Sequence, residues 1–407
     1  MSNIVIVGGG HGAVMTALNS RKLGFEGTIS IIGEEDEIPY QRPPLSKGYL
    51  LGETARERLQ VRHPEVIAEN RIELRTGVRV TGISRKIKQV NLESGERITY
   101  DKLVIATGAR PRLLDVPGAE LSGIHTIRSL ADIDALREEL PRATNCVIIG
   151  AGFIGLEAAA VLRKLDKEVT VLEAAASVMG RSVSTEVATF FRTVHENRGV
   201  TFHFNCLTAA IEGRAGRVCA VQTEDGRNWP ADLVILGVGI LANDELAQKA
   251  GLTTDHGILV DEYCRTNDPS IYAIGDCTRH RNLRFDGYIS LESVQNAVDQ
   301  AKVVASVIAG KAKPYNDLPW FWSDQYEMKL QIAGLSQGSD EIMVYDDGQD
   351  GVKLGVCHFR SGELIAVETV NRAADHIAAQ RLLASEKPVR REDLGSKETS
   401  LKAMAGF

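Results

Sequence analysis

Apolar and polar positions alternate along the chain in blocks that predict two units of strand, loop, helix and strand. The first unit has the apolar runs Ile4–Val7 and Ile29–Ile32, separated by a glycine-rich loop and a helical pattern. In the second unit, an alanine-rich helical pattern separates the apolar run Val147–Ile149 from the strand Glu168–Leu172. Because parallel strands joined by a helix form a βαβ crossover, these units predict two α/β domains with parallel sheets.

Later segments predict further strands and a change of architecture near the C-terminus. Apolar runs predict strands in three places, and an apolar helical pattern follows them. Beyond Pro319, short alternating segments favour antiparallel strands, so the tail is predicted to form an α+β domain. The segments are Asp101–Pro111, Asp232–Gly239 and Ser270–Asp276 for the strands, Val294–Ile308 for the helix, and Val352–Phe359, Glu363–Val370 and the helix Arg372–Ser385 for the tail.

Each βαβ unit carries a glycine-rich loop between its first strand and its helix. A first glycine permits the tight turn, a second lets the backbone approach a pyrophosphate, and a third permits close packing of helix on strand. In the first loop Ala13 takes the place of the third glycine. The predicted dinucleotide-binding residues are Gly8, Gly10, His11, Gly12 and Ala13 in the first loop, and Gly150, Gly152, Phe153, Ile154 and Gly155 in the second.

Acidic residues follow each loop at the spacing of a ribose-binding carboxylate, about twenty residues further on. Glu34 and Glu35 are both candidates in the first unit, and the sequence does not choose between them. Glu173 ends the second strand of the other unit, where a carboxylate binds both ribose hydroxyls and repels a 2′-phosphate. The second site is therefore expected to prefer NADH, although Arg181 is near enough in the sequence to leave NADPH as an alternative.

Composition and charge exclude several classes of protein. With 407 residues, the chain has room for two or three domains. The formal net charge of −7 disfavours nucleic acid as a partner. The longest apolar run, Leu233–Ala242, is far shorter than the ~20 residues of a membrane helix, so no membrane contact is expected. No basic targeting segment precedes Ile4, and we expect a cytoplasmic protein.

Further motifs, together with the two glycine loops, resemble those of the FAD-dependent NADH:ferredoxin reductases of bacterial cytochrome P450 and ring-hydroxylating oxygenase systems. The motifs are Pro39–Lys47, Ala106–Gly108, Tyr272–Asp276, Leu291–Ala297 and Pro319–Gln325, and the resemblance covers nearly the whole chain. It implies a glutathione-reductase-like architecture with the NADH-binding domain inserted into the FAD-binding domain. The implied bounds are 1–110 and 236–318 for the FAD-binding domain, 111–235 for the NADH-binding domain and 319–407 for the C-terminal α+β domain.

The resemblance also implies roles for individual residues. Lys47 is expected near the flavin ring, together with Arg42, on a loop that consecutive prolines stiffen. Asp276 is expected to bind the ribityl or phosphate region of the flavin, with a helix N-cap as the alternative role. Trp322 is expected at the flavin edge, with core packing as the alternative. The other implied cofactor contacts are Val80, Ala106, Thr107, Gly108, Arg128, Gly239, Glu292, Ser293 and Val294.

Glu157 lies two residues beyond Gly155, in the predicted first turn of the helix that faces the pyrophosphate. A carboxylate in that turn gains from the helix dipole but repels the phosphates of the ligand. We infer that its side chain points toward the nicotinamide and the flavin, paired with Lys47 as in the resembling enzymes. The alternative is an acid turned to solvent. Together with Trp322, which the resemblance places at the flavin edge, Lys47 and Glu157 are the residues for which catalytic roles are predicted.

Two nucleotide sites imply hydride transfer from NADH to the flavin, and the electron acceptor then decides the function. The six cysteines are scattered, without a CxxC pair or zinc-type spacing, so we expect buried free thiols, none near either loop, and no metal site. Electrons would then leave directly from the flavin, and the resemblance implies a [2Fe-2S] ferredoxin as the acceptor. The alternatives are a quinone or small oxidant, as for monodehydroascorbate-type reductases, and a redox-sensing module similar to apoptosis-inducing factor.

An acidic ferredoxin would require a locally basic docking face, despite the negative net charge. The candidates are Arg279, His280, Arg281 and Arg284 after Asp276, and Arg372, Arg381, Lys387, Arg390 and Arg391 in the tail. Solvated surface charge is the alternative for each of them.

Overall fold

The structure is a computed structural model, and it describes residues 2–180, 182–282, 287–345, 352–385, 387–395 and 400–406. The strands, numbered along the chain, are β1 Asn3–Val7, β2 Thr28–Ile32, β3 Ile72–Arg75, β4 Val80–Ser84, β5 Gln89–Leu92, β6 Arg97–Thr99, β7 Lys102–Ile105, β8 Ala109–Pro111, β9 Ile124–His125, β10 Asn145–Ile149, β11 Glu168–Leu172, β12 Val200–His203, β13 Thr208–Arg214, β14 Arg217–Thr223, β15 Asn228–Pro230, β16 Leu233–Leu236, β17 Ile240–Ala242, β18 Ile258–Val260, β19 Ile271–Ala273, β20 Thr278–Arg281, β21 Tyr288–Ile289, β22 Trp320–Gln325, β23 Met328–Gly334, β24 Glu341–Tyr345, β25 Leu354–Arg360 and β26 Glu363–Val370. The helices are α1 His11–Lys22, α2 Gly48–Leu51, α3 Pro64–Glu69, α4 Leu130–Glu139, α5 Phe153–Lys164, α6 Thr185–Glu196, α7 Glu245–Lys249, α8 Val294–Ile308, α9 Ala373–Ala384 and α10 Leu401–Met404. Short 3₁₀ helices include Pro43–Ser46 and Gly275–Cys277.

The chain divides by packing into two units, each assembled from separated segments. The first unit consists of Met1–Gln41, Ala55–Arg110 and Ile240–Asp317, and the second of Arg42–Thr54, Pro111–Gly239 and Leu318–Phe407. The segment Arg42–Thr54, which carries Lys47, thus packs with the second unit, although it lies within the predicted domain 1–110. The predicted domain bounds at 110, 235 and 318 stay predictions, because one packing unit can contain two domains.

The first unit is built on a parallel sheet with the strand order β19-β7-β1-β2-β3. Side chains of β1 alternate between two cores. Ile4 and Ile6 pack with residues of α1 and α8, whereas Val5 and Val7 pack on the other face with residues of β5 and β19. A strand buried on both faces is continuously apolar, which explains the run seen in the sequence.

The single strand predicted over Asp101–Pro111 is wrong in one respect, because it is broken into β7 and β8 at residues 106–108. The hydroxyl of Thr107 donates to the backbone oxygen of Asn243 at 2.7 Å, and the Asn243 side-chain amide donates back to the Thr107 backbone oxygen at 3.0 Å. Gly108 has φ +67°, a conformation that favours glycine. The chain therefore turns where a continuous strand was expected.

The second unit contains a parallel sheet with the order β12-β11-β10-β16-β9 and an antiparallel sheet with the order β22-β23-β26-β25-β24. Helices α9 and α10 contribute Ala378, Ala379 and Leu401 to a core with Phe359 and Val367 of the antiparallel sheet. Strands followed by helices on one face form an α+β arrangement. The architecture predicted for the tail is therefore confirmed.

His280 on β20 was predicted as a docking residue, and this prediction is wrong because the side chain is 0% exposed. Its ring lies 4.9 Å from that of Tyr315, and neither ring nitrogen has a hydrogen-bond partner among the described residues. Burial lowers the pKa of His280 to about 4. The imidazole is therefore neutral in the folded protein at physiological pH.

Because His280 is buried in its neutral form, we expect the free energy of unfolding to decrease as the pH falls from about 6.5 to 4. The unfolded chain, in which histidine titrates near 6.5, then binds more protons than the folded chain, so His280 contributes a slope of about 1.4 kcal/mol per pH unit. We expect His280→Phe to reduce that slope in urea unfolding followed by circular dichroism at pH 5 and pH 7. The control is His256→Asn, since His256 is 94% exposed. Equal slopes for His280→Phe and the wild type would contradict the prediction.

Candidate functional site

The carboxyl edge of the first parallel sheet gathers the segments predicted to bind the first dinucleotide. Strands β1, β2, β7 and β19 all end there, because they run parallel. The segments that follow these strands contain Gly8, Glu34, Ala106 and Asp276. Gly8 has φ +124°, and a Cβ added to it would lie 2.1 Å from the backbone oxygen of Ala106. Only glycine fits so close an approach of two strand ends.

The first loop has the space and the helix N-terminus that the pyrophosphate of FAD requires. Gly10 is the N-cap of α1, and a Cβ added to it would meet no heavy atom within 4 Å. The first turn of α1 contains no acidic residue that would repel a phosphate. Gly12 and Ala13 are buried, which lets the helix pack closely on the sheet. Since amides at a helix N-terminus stabilise phosphate, the residues present fit FAD.

The two acids that follow β2 have different surroundings. Glu35 is half-buried and accepts a hydrogen bond from the hydroxyl of Tyr40. The side chain of Glu34 is 68% exposed, and its carboxylate lies 3.4 Å from Nε of Arg79. Tyr40 thus holds Glu35 at the sheet edge, while Glu34 faces the surface.

Asp276 lies in the 3₁₀ helix Gly275–Cys277, whose N-cap residue is Ile274. The alternative N-cap role for Asp276 is therefore wrong. The amide of Gly275 donates to Oε1 of Gln300 at 2.6 Å, which fixes this turn against α8. Asp276 is thereby held at the same edge as the first glycine loop.

Cys277 follows Asp276 directly, and its thiol lies against the end of β7. Its sulfur lies 3.2 Å from the backbone oxygen of Ile274 and 3.7 Å from that of Ile105, the last residue of β7. Strand pairing brings it there from far along the sequence. Burial raises the pKa of the Cys277 thiol, so the group is not a reactive thiolate at neutral pH.

The other predicted flavin contacts of the first unit fall into two places. Ser293 is the N-cap of α8 and accepts a hydrogen bond from the Asn296 amide at 3.1 Å, and Val294 is the first helical residue. Glu292, which precedes them, is exposed. Val80 begins β4, in the small antiparallel sheet β4-β5-β6 rather than in the parallel sheet.

The second glycine loop repeats these features in the second unit. A Cβ on Gly150 would lie 2.4 Å from the backbone oxygen of Gly237, and one on Gly155 would lie 2.2 Å from that of Gly150. A Cβ on Gly152, the N-cap of α5, would meet nothing within 4 Å. The two residues after it differ, because Phe153 packs on the ring of Phe321 at 4.6 Å between centroids, whereas Ile154 is exposed.

Glu173, predicted to bind the ribose of NADH, is hydrogen-bonded to the second loop. Its carboxylate accepts hydrogen bonds from the amides of Ala151 at 2.6 Å and Ala175 at 2.7 Å. The acid therefore fixes the glycine loop to the end of β11. Arg181, the predicted alternative contact for a 2′-phosphate, lies outside the described residues.

We expect Glu173→Ala to raise KM for NADH about tenfold, because a carboxylate hydrogen bond to the loop amides is worth about that factor. Discrimination against NADPH should fall at the same time, because the charge that repels a 2′-phosphate is removed. Steady-state kinetics with both nucleotides measure both effects. The control is Glu168→Gln at the start of the same strand, where the side chain is 68% exposed. An unchanged KM for NADH in Glu173→Ala would show that the acid has neither role.

Glu157 is the centre of a group that we call the Glu157 cluster, which also contains the buried Ser46 and Ser323 and the partly exposed Lys47. Its carboxylate is 3% exposed, so the alternative of an acid turned to solvent is wrong. Nζ of Lys47 lies 2.6 Å from Oε2, which also accepts from the Ser46 hydroxyl, and the Ser323 hydroxyl donates to Oε1 at 2.7 Å. The pairing inferred with Lys47 is present.

Two details of this cluster differ from the sequence analysis. Because α5 begins at Phe153, Glu157 lies in the second turn of the helix and not in the first. Ser46 and Ser323 lie within recognised motifs, yet neither was assigned a role. A role for Ser323 could have been predicted, because alternate residues 321, 323 and 325 of a strand lie on one face and the first of them is aromatic.

Arg42 and Arg128, both predicted near the flavin, are joined by a hydrogen bond from Nη1 of Arg42 to the backbone oxygen of Arg128 at 2.6 Å. This bond ties the proline-containing segment to the residue before the N-cap of α4. Gly239 lies at the end of Pro111–Gly239 with φ +101°, and its backbone oxygen accepts from the Arg112 amide at 2.9 Å.

Trp322 lies on the face of β22 opposite to Ser323. Its ring is half-buried and lies 5.4 Å from that of Trp320, which in turn lies 5.8 Å from His376. The aromatic packing considered as the alternative role for Trp322 is thus present. Its predicted role at the flavin edge stays a prediction.

The predicted docking residues are not equivalent. Arg372 is mostly buried and bonded to Asp375, so it does not fit a docking role. Arg281, Arg381, Lys387 and Arg390 are exposed, while Arg279 and Arg391 are half-buried and paired with Asp255 and Glu341. Arg284 lies outside the described residues.

Two families match the chain. Residues 2–301 match the pyridine nucleotide-disulphide oxidoreductases, and residues 320–405 match the reductase C-terminal family. The chain therefore belongs to the pyridine nucleotide-disulphide oxidoreductase family. Among the described residues, no helix combines the length and the apolar character needed to cross a membrane.

Relatives and solved structures match over almost the full length. Rhodocoxin reductase of Rhodococcus erythropolis is 43% identical over 98% of this chain and 93% of that protein. The crystal structure of the ferredoxin reductase for the CYP199A2 system from Rhodopseudomonas palustris has a TM-score of 0.97 at 40% identity and covers 100% of both chains. The reductase in the covalent putidaredoxin reductase–putidaredoxin complex has a TM-score of 0.94 at 38% identity, with 98% and 97% of the two chains covered.

These matches confirm the resemblance found in the sequence, together with the fold and the class of enzyme that it implied. The chain has the glutathione-reductase-like architecture and is an oxidoreductase that uses FAD and NADH. The roles of individual residues remain predictions.

Proposed function

We propose that this protein oxidises NADH and delivers the electrons one at a time to a [2Fe-2S] ferredoxin that serves a cytochrome P450 or another oxygenase. The observation that carries the proposal is similarity along the whole chain to reductases of such systems, one of them held in a covalent complex with its ferredoxin. FAD accepts two electrons from NADH and can release them singly.

The residues of the chain would bind and orient the two nucleotides. The loop at Gly8–Gly10 would hold the FAD pyrophosphate, with Glu35 on the ribose because Tyr40 positions it. The loop at Gly150–Gly152 and Glu173 would hold NADH. In the Glu157 cluster, Lys47 supplies a cation whose position is fixed by the buried carboxylate. We propose Lys47, Glu157 and Trp322 as the residues nearest the reaction.

The cysteines support electron transfer without sulfur chemistry. All six are free, and Cys146, Cys206, Cys264, Cys277 and Cys357 are buried, whereas Cys219 is exposed, contrary to the expectation of buried thiols. Burial raises the pKa of Cys146 and Cys357 to about 12, so these thiols are unreactive near neutral pH. Free thiols also fit a reducing compartment, which supports the proposed cytoplasmic location.

Steady-state oxidation of NADH by the holoenzyme tests the choice of acceptor. A purified [2Fe-2S] ferredoxin, a quinone and ferricyanide are each offered at equal electron equivalents. The proposal predicts the highest kcat/KM with the ferredoxin and a decline with rising salt, since screening weakens docking between opposite charges. A higher kcat/KM with the quinone would support the alternative of a reductase for a quinone or small oxidant. If none of the three acceptors supports the oxidation of NADH, the alternative of a redox-sensing module would be supported.

A further inference from the structure

A line of buried side chains extends from the Glu157 cluster to helix α6, within the second unit. Gln325 and Ser323 lie two residues apart on β22, and His195 lies in the last turn of α6. All three side chains are 0% exposed. The distances are 2.9 Å from Nε2 of His195 to Oε1 of Gln325, 3.2 Å from Nε2 of Gln325 to Oγ of Ser323, and 2.7 Å from Oγ of Ser323 to Oε1 of Glu157.

We propose that this polar chain of His195, Gln325 and Ser323 positions the Glu157 carboxylate, and through it Lys47, for the reaction with NADH. The inference rests on the proposed role of Glu157 and Lys47 and assigns to three residues outside the predicted site the task of holding it in place. They act as positioning residues, because being fully buried they do not touch the nucleotide.

In this polar chain, the carboxylate at one end determines which atom donates and which atom accepts in each hydrogen bond. An ionised carboxylate only accepts, so the Ser323 hydroxyl donates to Glu157 and must accept from Gln325. The Gln325 amide nitrogen therefore faces Ser323, and its oxygen faces His195. His195 must then carry its proton on Nε2, which agrees with Nδ1 having no partner among the described residues. Every donor meets an acceptor only in this arrangement.

The surroundings hold this arrangement in place. Nε2 of Gln325 also lies 3.8 Å from the sulfur of Met179, so both of its hydrogens are directed. The His195 ring packs 5.0 Å from Tyr326, between centroids. Burial lowers the pKa of His195 to about 4, which keeps the ring neutral and preserves the tautomer. Buried hydrogen bonds that link His195, Gln325, Ser323 and Glu157 in series restrict the motion of each side chain, and such restriction is what positioning requires.

The pattern of β22 explains how a strand performs this task. Phe321, Ser323 and Gln325 occupy one face, on which Phe321 packs against Phe153 at the start of α5. Ser323 then reaches Glu157, one turn further along the same helix. The strand thus joins helices α5 and α6 by polar contacts on a face that would otherwise be apolar.

The kinetic test uses Ser323→Ala with Thr369→Val as the matched control. Thr369 is also fully buried in the antiparallel sheet, but its hydroxyl bonds to the backbone oxygen of Gln331 and not to Glu157. In stopped-flow reduction of the bound flavin by NADH, we expect Ser323→Ala to lower the limiting rate about tenfold with an unchanged Kd for NADH. Ser323→Thr, which keeps the hydroxyl, should restore most of the rate. Thr369→Val should react like the wild type.

A second readout is independent of turnover. In nitrogen-15 NMR of labelled histidine, the wild type should show His195 protonated at Nε2. Ser323→Ala should shift this resonance, because Gln325 loses its acceptor, and Thr369→Val should not. Protonation of His195 at Nδ1, or an unmoved resonance in Ser323→Ala, would overturn the proposal.

The outcomes separate this inference from the proposed function. Equal limiting rates for Ser323→Ala and the wild type, or a raised Kd at an unchanged rate, overturn the positioning role alone. A wild-type flavin that NADH reduces but that does not reduce ferredoxin overturns the proposed acceptor alone. A wild-type flavin that NADH leaves oxidised overturns both.

Discussion

Glu157→Gln is expected to slow reduction of the bound flavin by NADH by about 100-fold, with FAD still bound. The substitution keeps the shape of the side chain but removes the charge that holds Lys47 at 2.6 Å. Hydrogen bonds to charged groups are worth about 1.5–3 kcal/mol, which corresponds to about 10- to 100-fold in rate when the geometry of the reaction depends on them. The limiting rate in anaerobic stopped-flow measures the loss, and the visible absorbance of the protein reports its flavin content.

A double-mutant cycle shows whether Lys47 and Glu157 act as a unit. We expect Lys47→Met to slow the reaction as Glu157→Gln does, and the double variant to be no slower than the slower single variant, because each single change already removes the pair. If the two losses multiply, the residues act independently and the pair has no joint function. Glu168→Gln serves as the control, since its exposed carboxylate takes no part in the cluster.

Gly8→Ala is expected to give protein that binds no FAD and unfolds at lower urea concentration. The new Cβ would lie 2.1 Å from the Ala106 oxygen, at φ +124°, so the two strand ends must separate. Overpacking of this kind costs about 1–3 kcal/mol, and the positive φ adds to it. Flavin absorbance after purification and the urea midpoint of the apoprotein measure the two effects.

Gly10→Ala separates ligand binding from folding in the same loop. Its Cβ would meet no protein atom within 4 Å, so the apoprotein should keep the wild-type urea midpoint. The methyl group would project beside the helix N-terminus, where the pyrophosphate of FAD is expected, and should weaken FAD binding. Wild-type FAD affinity in Gly10→Ala, or an intact urea midpoint in Gly8→Ala, would contradict the assignment of this loop.

Regular elements were largely predictable from the sequence because their patterns are local. The bounds of β11, α8 and β26 agree with those predicted, since each is a periodic run between turn or capping residues. The break between β7 and β8 was missed, because it depends on hydrogen bonds between Thr107 and Asn243, which are distant in sequence. Local apolarity alone favoured one strand there.

The candidate site was predictable in its residue types and less so in its contacts. The pairing of Lys47 with Glu157 came from the resemblance, and the structure contains it. The sequence places His280 beside arginines after Asp276, which favours a docking role, but sheet packing buries its side chain. No role was predicted for Ser323 and Gln325, because a neutral polar residue in a strand indicates a function only when its buried hydrogen-bond partner is known.

Counting electrons tests the central claim most directly. Holoenzyme is mixed anaerobically with a limiting amount of NADH and an excess of oxidised [2Fe-2S] ferredoxin, and the absorbance of both is followed to completion. The account predicts two molecules of reduced ferredoxin for each NADH consumed, because one two-electron donor supplies a one-electron acceptor. Complete oxidation of NADH with no reduced ferredoxin, or NADH left unoxidised, would contradict it.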